Sequence, residues 1–139
     1  VSKVDILVQD MLETNYPSKE VANRLYKRWI NLRNNPSGLR ETSPHEKSAA
    51  YSVNKGEEVR ICVRNKNSNK IFEDENTMMF VMLHELGHIA SISYGHNKEF
   101  KDNFNHITVR ALALKLYKYE DFTNSPVTYC NTPINNSSV

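Results

Sequence analysis

Two cysteines, four glycines and one tryptophan in 139 residues are few, and each shortage narrows the reading. Two cysteines cannot build the disulfide framework of a small secreted scaffold. Cys62 therefore reads as a buried thiol in a strand-like stretch, with Cys130 near a polar tail. No apolar run reaches the ~18 residues of a membrane-spanning helix, and the chain opens without a cleavable hydrophobic segment. The expectation is a soluble, intracellular protein, cytoplasmic or nuclear. Charge of one sign is also scarce: the net value of +2 is too weak for composition alone to imply nucleic acid or a membrane surface. The length suits one domain with one modest core.

Helical spacing dominates the first third of the chain. Val4, Leu7, Val8 and Met11 predict a short amphipathic helix over 3–12. Ser18 after Pro17 suits the start of a second helix, with Val21, Leu25, Trp29 and Leu32 along one stripe, ending before the breakers 34–38. From residue 39 the period falls to two. Leu39–Thr42 fits a short strand, and Tyr51 and Val53 lead through Asn54-Lys55-Gly56 into a return strand carrying Val59, Ile61 and Val63, which makes a β-hairpin. Acidic and capping residues at 73–76 then open a helix expected over about 74–93. A further helix is expected over 97–116, striped by Phe100, Phe104, Ile107 and Ala111.

The chemistry concentrates in Leu83-His84-Glu85-Leu86-Gly87-His88-Ile89. Residues four apart on a helix lie one above the other, so His84 and His88 project from the same face and can share one tetrahedral ion. Glu85 lies a quarter-turn round, where it can take a proton from a water without being a ligand. Two neutral imidazoles, open positions and a free carboxylate suit Zn²⁺. The competing structural reading, two histidines on the polar side of a core helix, fits poorly with the apolar flanks Met82, Leu83, Leu86 and Ile89.

A catalytic zinc takes a third protein ligand. His96 is eight residues beyond His88, which on a continued helix is a displacement of about 12 Å, too far for one ion. The helix must therefore end and the chain fold back, and Gly95 sits where a reversal needs a residue without Cβ. Other candidates compete: Glu99, Asp102, His106 and Glu120, of which Glu99 or Glu120 would give a His-His-Glu site. No methionine follows Met82, so a Met-turn of the metzincin kind is excluded. Tyr94, Tyr117, Tyr119, Tyr129 and His106 are the candidate oxyanion donors, and the sequence does not choose among them.

Ile61-Cys62-Val63-Arg64, the stretch from Thr77 through the His84-Glu85-x-x-His88 motif, and Gly95-His96-Asn97-x-x-Phe100 together resemble the catalytic region of the WLM metalloproteases. These are zinc peptidases similar to the SprT-like proteases, which degrade proteins covalently trapped on DNA. The resemblance spans roughly residues 48–104. It implies an α+β, zincin-like metallopeptidase fold; a single domain is expected over 1–131, and the polar, Asn-, Ser- and Thr-rich composition of 132–139 predicts a disordered tail or a truncation point. It also implies His84, His88 and His96 as zinc ligands and Glu85 as the catalytic acid and base. The interval from His88 to His96 is about two residues longer than WLM proteins usually show and shorter than in SprT-like ones. Leu86-Gly87 also looks like the repressor-cleaving zincins, whose third ligand need not be a downstream histidine.

The function expected is zinc-dependent hydrolysis of peptide bonds in protein substrates, in a DNA-associated, crosslink-repair-like setting. The alternatives are a non-catalytic zincin-fold interaction module that keeps its zinc, or a peptidase with a carboxylate third ligand. DNA as a partner is implied mostly by the resemblance. The cationic residues that support it are Arg24, Lys27, Arg28, Arg33, Arg40, Arg60, Arg64, Lys66 and Lys70.

Overall fold

The computed structural model describes residues 2–41, 50–54, 57–62, 74–122, 127–129 and 132–134; of the last two segments only the backbone pairing is described. Their order is α1 (Ser2–Thr14), α2 (Lys19–Asn34), β1 (Leu39–Glu41), β2 (Ala50–Val53), β3 (Glu58–Ile61), α3 (Glu75–Ile89), α4 (Lys98–Ala113), β4 (Val127–Tyr129) and β5 (Thr132–Ile134). The class is α+β, as expected.

The local rules behind the helices hold. Ser18 caps α2, its side chain accepting from the Val21 amide at 3.2 Å. Asp74 caps α3 twice over, accepting from the Thr77 amide at 3.2 Å and the Thr77 hydroxyl at 2.7 Å. Asn97 caps α4 through the Phe100 amide at 3.0 Å. The apolar stripes of α1, α2 and α4 all turn inward. Between them runs α3, buried on most of its circumference and packed against α4, α2 and the sheet. Leu83 and Leu86 are fully buried, each such leucine stabilising the fold by about 1.5–3 kcal/mol.

Two pairs of side chains brace the N-terminal helices. Asp5 accepts from the Trp29 indole at 2.7 Å and from both Arg33 Nε and Nη2, at 3.0 and 2.7 Å. Asp10 receives Arg110 of α4 through two nitrogens.

The hairpin forms with the expected sense: β2 runs antiparallel to β3, with Ser52 opposite Val59. Asn54 takes the positive φ of 47° at its turn; Gly56 lies outside the described residues. Unanticipated is the sheet order β1-β3-β2, with β1 parallel to β3. Among the described strands that arrangement leaves β2 at an edge, beside α3.

Three expectations need correction. The third helix stops at Ile89 rather than near 93, because its last carbonyls find other donors. Thr132–Ile134 pair antiparallel with Val127–Tyr129, so a strand occupies the start of the expected disordered tail. Cys62 is buried but disulfide-bonded rather than a free thiol; the sequence's other cysteine, Cys130, lies outside the described residues. Among the described residues no helix is long and apolar enough to cross a membrane.

Candidate metal centre

Residues His84, Glu85 and His88 share the middle and last turns of α3, and the chain reverses after Ile89 to bring His96 back over them. Gly95 makes the reversal with φ +84°, a conformation that a residue with Cβ adopts only under strain. The result is a cluster in which His96 Nε2 stands 3.2 Å from His84 Nε2 and 3.2 Å from His88 Nε2. Two nitrogens on one tetrahedral zinc, each ~2.05 Å from it, are about 3.3 Å apart, so the separations fit a shared ion. Protons alone serve such a cluster poorly. One N–H can bridge one pair of nitrogens, whereas a cation meets three lone pairs at once. Burial holds His84 in the neutral, ligating form, pushing its pKa down to about 4, with the neighbouring His88 and His96 adding to the effect.

Glu85 is 4% exposed, and its Oε2 has no hydrogen-bond partner among the described residues. Burial without a partner pushes the carboxyl up to about 7. A cleft of about 320 Å³ lies over these groups. Its floor is His84, Glu85 and His88, one wall is the edge strand at Ala50, Tyr51 and Ser52, and the opposite rim is Tyr94, Gly95 and His96.

A protein-family profile, that of the WLM domain, matches residues 37–137. The chain belongs to the WLM domain family. It is similar to an uncharacterized protein of Acanthamoeba polyphaga mimivirus, 31% identical over 128 residues, which make up 92% of this chain and 64% of that protein. An uncharacterized protein of Invertebrate iridescent virus 6 is 24% identical over 111 residues, 79% of this chain and 62% of the relative. The chain thus spans less than two thirds of the length of these viral relatives. Among solved structures it is similar to Wss1 from Saccharomyces cerevisiae, at 21% identity and a TM-score of 0.49, over 70% of this chain and 76% of that one.

Within this WLM domain the remaining candidates separate by position. The carboxylates do not reach the histidines: Glu99 accepts from the segment 92–93, Glu120 from the Asn76 amide at 2.6 Å, and Asp102 from Lys98 at 2.7 Å. Among the described residues it is the three histidines that cluster closely enough to share an ion. His106 packs edge-on against Tyr16, with ring centroids 6.0 Å apart. Of the candidate oxyanion donors Tyr94 lines the cleft, whereas Tyr117 is buried against Phe80 and Tyr119 lines a separate hollow beside Lys3 and Lys115. The side chain of Tyr129 lies outside the described atoms.

The cationic residues expected to favour DNA are partly committed elsewhere. Arg24 and Arg28 bond the carbonyls that end α3, Arg33 pairs with Asp5, and Arg60 donates to the Gly38 carbonyl at 3.0 Å. Lys27 and Arg40 are exposed, and Arg64, Lys66 and Lys70 lie outside the described residues.

Sequence reading missed two residues that build the centre. Phe100 looked like one more core position on α4, yet its ring touches all three imidazoles. It stacks on His88 at 4.2 Å and meets His84 and His96 edge-on, each at 4.9 Å. Tyr51, on the cleft wall, was read only as a strand residue. The signal for Phe100 was present in the spacing His96-x-x-x-Phe100, since a residue on the first turn of the returning helix must face what the loop delivers.

Proposed function

We propose that this protein is a zinc-dependent peptidase that hydrolyses peptide bonds in protein substrates. The observation that carries the reading is Glu85: a buried carboxyl whose Oε2 has no hydrogen-bond partner among the described residues, set beside three converging imidazoles. Leaving a buried polar group unsatisfied costs about 1–3 kcal/mol, a cost with no use in a site that merely holds an ion. That weighs against the non-catalytic binding module.

Three imidazoles are the donor set of several hydrolytic zinc sites. His84, His88 and His96 would hold the zinc, which would supply a Lewis acid for the carbonyl and lower the pKa of water towards neutrality. The chain's own contribution is proton transfer and alignment. With its carboxyl near 7, Glu85 can accept a proton from water as the oxygen forms its bond to the carbonyl carbon. It then releases that proton to the amine nitrogen as the C–N bond breaks, and ends the cycle ionised as it began. Tyr51 and Tyr94 are the two tyrosines that line the cleft and the candidates to donate to the developing oxyanion.

The edge position of β2 supports an extended substrate, paired through main-chain groups along Ala50–Ser52. Beyond Asn54 and Tyr94 a second hollow of about 700 Å³ continues the groove past Arg28 and Glu57. Recognition by main chain predicts weak sequence preference. DNA as the setting of this proteolysis is supported by the family resemblance, with Lys27 and Arg40 as exposed cations.

Zinc stoichiometry, followed by cleavage of an unfolded protein by wild type and Glu85→Gln with and without single-stranded DNA, tests the proposal. Zinc at one equivalent with cleavage lost in Glu85→Gln is the expected result. Zinc retained with both proteins inert under every condition would replace it by the binding module.

A further inference from the structure

His96 is exposed, and among the described residues its Nε2 meets the other two imidazoles, so the loop that carries it needs a hold of its own. Three donors of that loop converge on one carboxylate. The Ile92 amide donates to Glu99 Oε2 at 2.9 Å, the Ser93 amide to Oε1 at 2.8 Å, and the Ser93 hydroxyl to the same oxygen at 2.5 Å. The Asn97 side-chain amide closes the circuit on Ser93 Oγ at 2.6 Å. Residues 92–93, where the chain leaves α3, are thus tied to 97–99, where it enters α4. The span between them carries Tyr94, Gly95 and His96.

The other end of the tie is held from α2. Arg24 Nε donates to the Ala90 carbonyl at 2.9 Å, and its Nη2 lies 4.0 Å from Glu99 Oε2. Arg28 Nη1 donates to the carbonyls of Ile89 at 2.7 Å and Ser91 at 2.9 Å. Carbonyls at a helix end favour cations, and these two keep the exit of the loop fixed relative to His84 and His88.

We propose that Glu99 is a positioning residue for the third metal ligand: acting through Ser93, it fixes His96 against His84 and His88 and so sets the affinity of the centre for a divalent cation. The inference rests on the metal-centre reading above. Its physical basis is entropy. A loop already closed by four hydrogen bonds presents His96 in place, whereas a free loop must be ordered at the moment the ion binds. A carboxylate is the group required, because all three loop donors aim at it and it has nothing to donate in return.

The test is a double-mutant cycle on the full chain, reading Zn²⁺ affinity by chelator competition and the visible spectrum of Co²⁺ as a coordination signature. Glu99→Ala should weaken Zn²⁺ about 10- to 100-fold, the range found when partners supporting a ligand are removed, and should change the Co²⁺ spectrum towards that of His96→Ala. In a His96→Ala background the same substitution should have little further effect, because the ligand it positions is gone. Ser93→Ala, which removes one of the three donors and leaves the backbone intact, should fall between wild type and Glu99→Ala. It also carries the test if Glu99→Ala does not fold. Wild-type affinity and spectrum in Glu99→Ala, or an equal loss with and without His96, would overturn the proposal. A wild-type protein that binds neither ion would instead overturn the metal-centre reading, and this inference with it.

Discussion

The ring of Phe100 occupies the space that a side chain at Gly87 would need. A Cβ built on Gly87 would lie 2.9 Å from Phe100 Cε1 and 3.1 Å from Phe104 Cβ, closer than packed carbons tolerate. Gly87 is therefore what lets α4 approach α3 closely enough for Phe100 to reach His84, His88 and His96 together.

Gly87→Ala sets two effects against each other. Alanine improves a helix interior by about 1 kcal/mol, while overpacking a tight contact costs about 1–3 kcal/mol. The contact should win, giving a protein that melts earlier and binds Zn²⁺ more weakly as Phe100 shifts. Thermal unfolding with chelator competition checks both, and a variant more stable than wild type with unchanged affinity would refute the packing argument.

Glu85→Gln separates chemistry from folding. Loss of the proton carrier should lower kcat by about 10²–10⁴ while zinc content stays the same. The neutral amide no longer carries the desolvation penalty that raises the Glu85 carboxyl to about 7, so stability near neutral pH should not fall. Urea unfolding beside a protease assay reads the two consequences independently.

Asp5→Ala acts far from the cleft. Trp29 is 1% exposed, and its indole N–H donates to Asp5, so the substitution leaves a buried donor unpaired at about 1–3 kcal/mol. Arg33 loses a two-nitrogen pair as well, although both of those groups are partly exposed and add little. The melting temperature should drop with Zn²⁺ affinity unchanged.

Acid should act on the metal-free protein in two ranges. Burial holds His84 at about 4 against an ordinary 6.5, which costs stability as pH falls between those values, while the same burial raises Glu85 to about 7 against 4.5, which returns stability over much of that range, so the two offset. Glu99 follows. The Ile92 amide, then Ser93, holds its carboxyl down at about 2 against an ordinary 4.5, and its contribution is complete above 4.5 and lost as pH falls towards 2. Urea midpoints measured against pH should show a decline between 6.5 and 4 uncovered in Glu85→Gln, where His84 is no longer offset, and the loss below 4.5 reduced in Glu99→Ala.

Much of this was readable before any coordinates. Ser18, Asp74 and Asn97 cap the helices by rules that involve only their near neighbours in sequence. The hairpin of β2 and β3 follows from alternation and a turn. The interval between His84 and His88 and the glycine at 95 are equally local features, and they were enough to anticipate that these histidines and His96 would converge. Less visible was where α3 would stop. Its last carbonyls are taken by Ser91, Arg24, Arg28 and Asn103, three of them from other helices.

The chain by itself determined the helix that carries two imidazoles and an acid, because four-residue spacing and apolar flanks are properties of one continuous segment. Tertiary structure alone decided that β1 would run parallel beside β3, that Phe100 would floor all three imidazoles, and that Arg24 and Arg28 would serve helix carbonyls rather than a ligand. It also set the Glu99 carboxylate against the amides of Ile92 and Ser93. Each of those outcomes depends on distances between segments far apart in sequence, which are set when the whole core packs and are encoded in no single stretch.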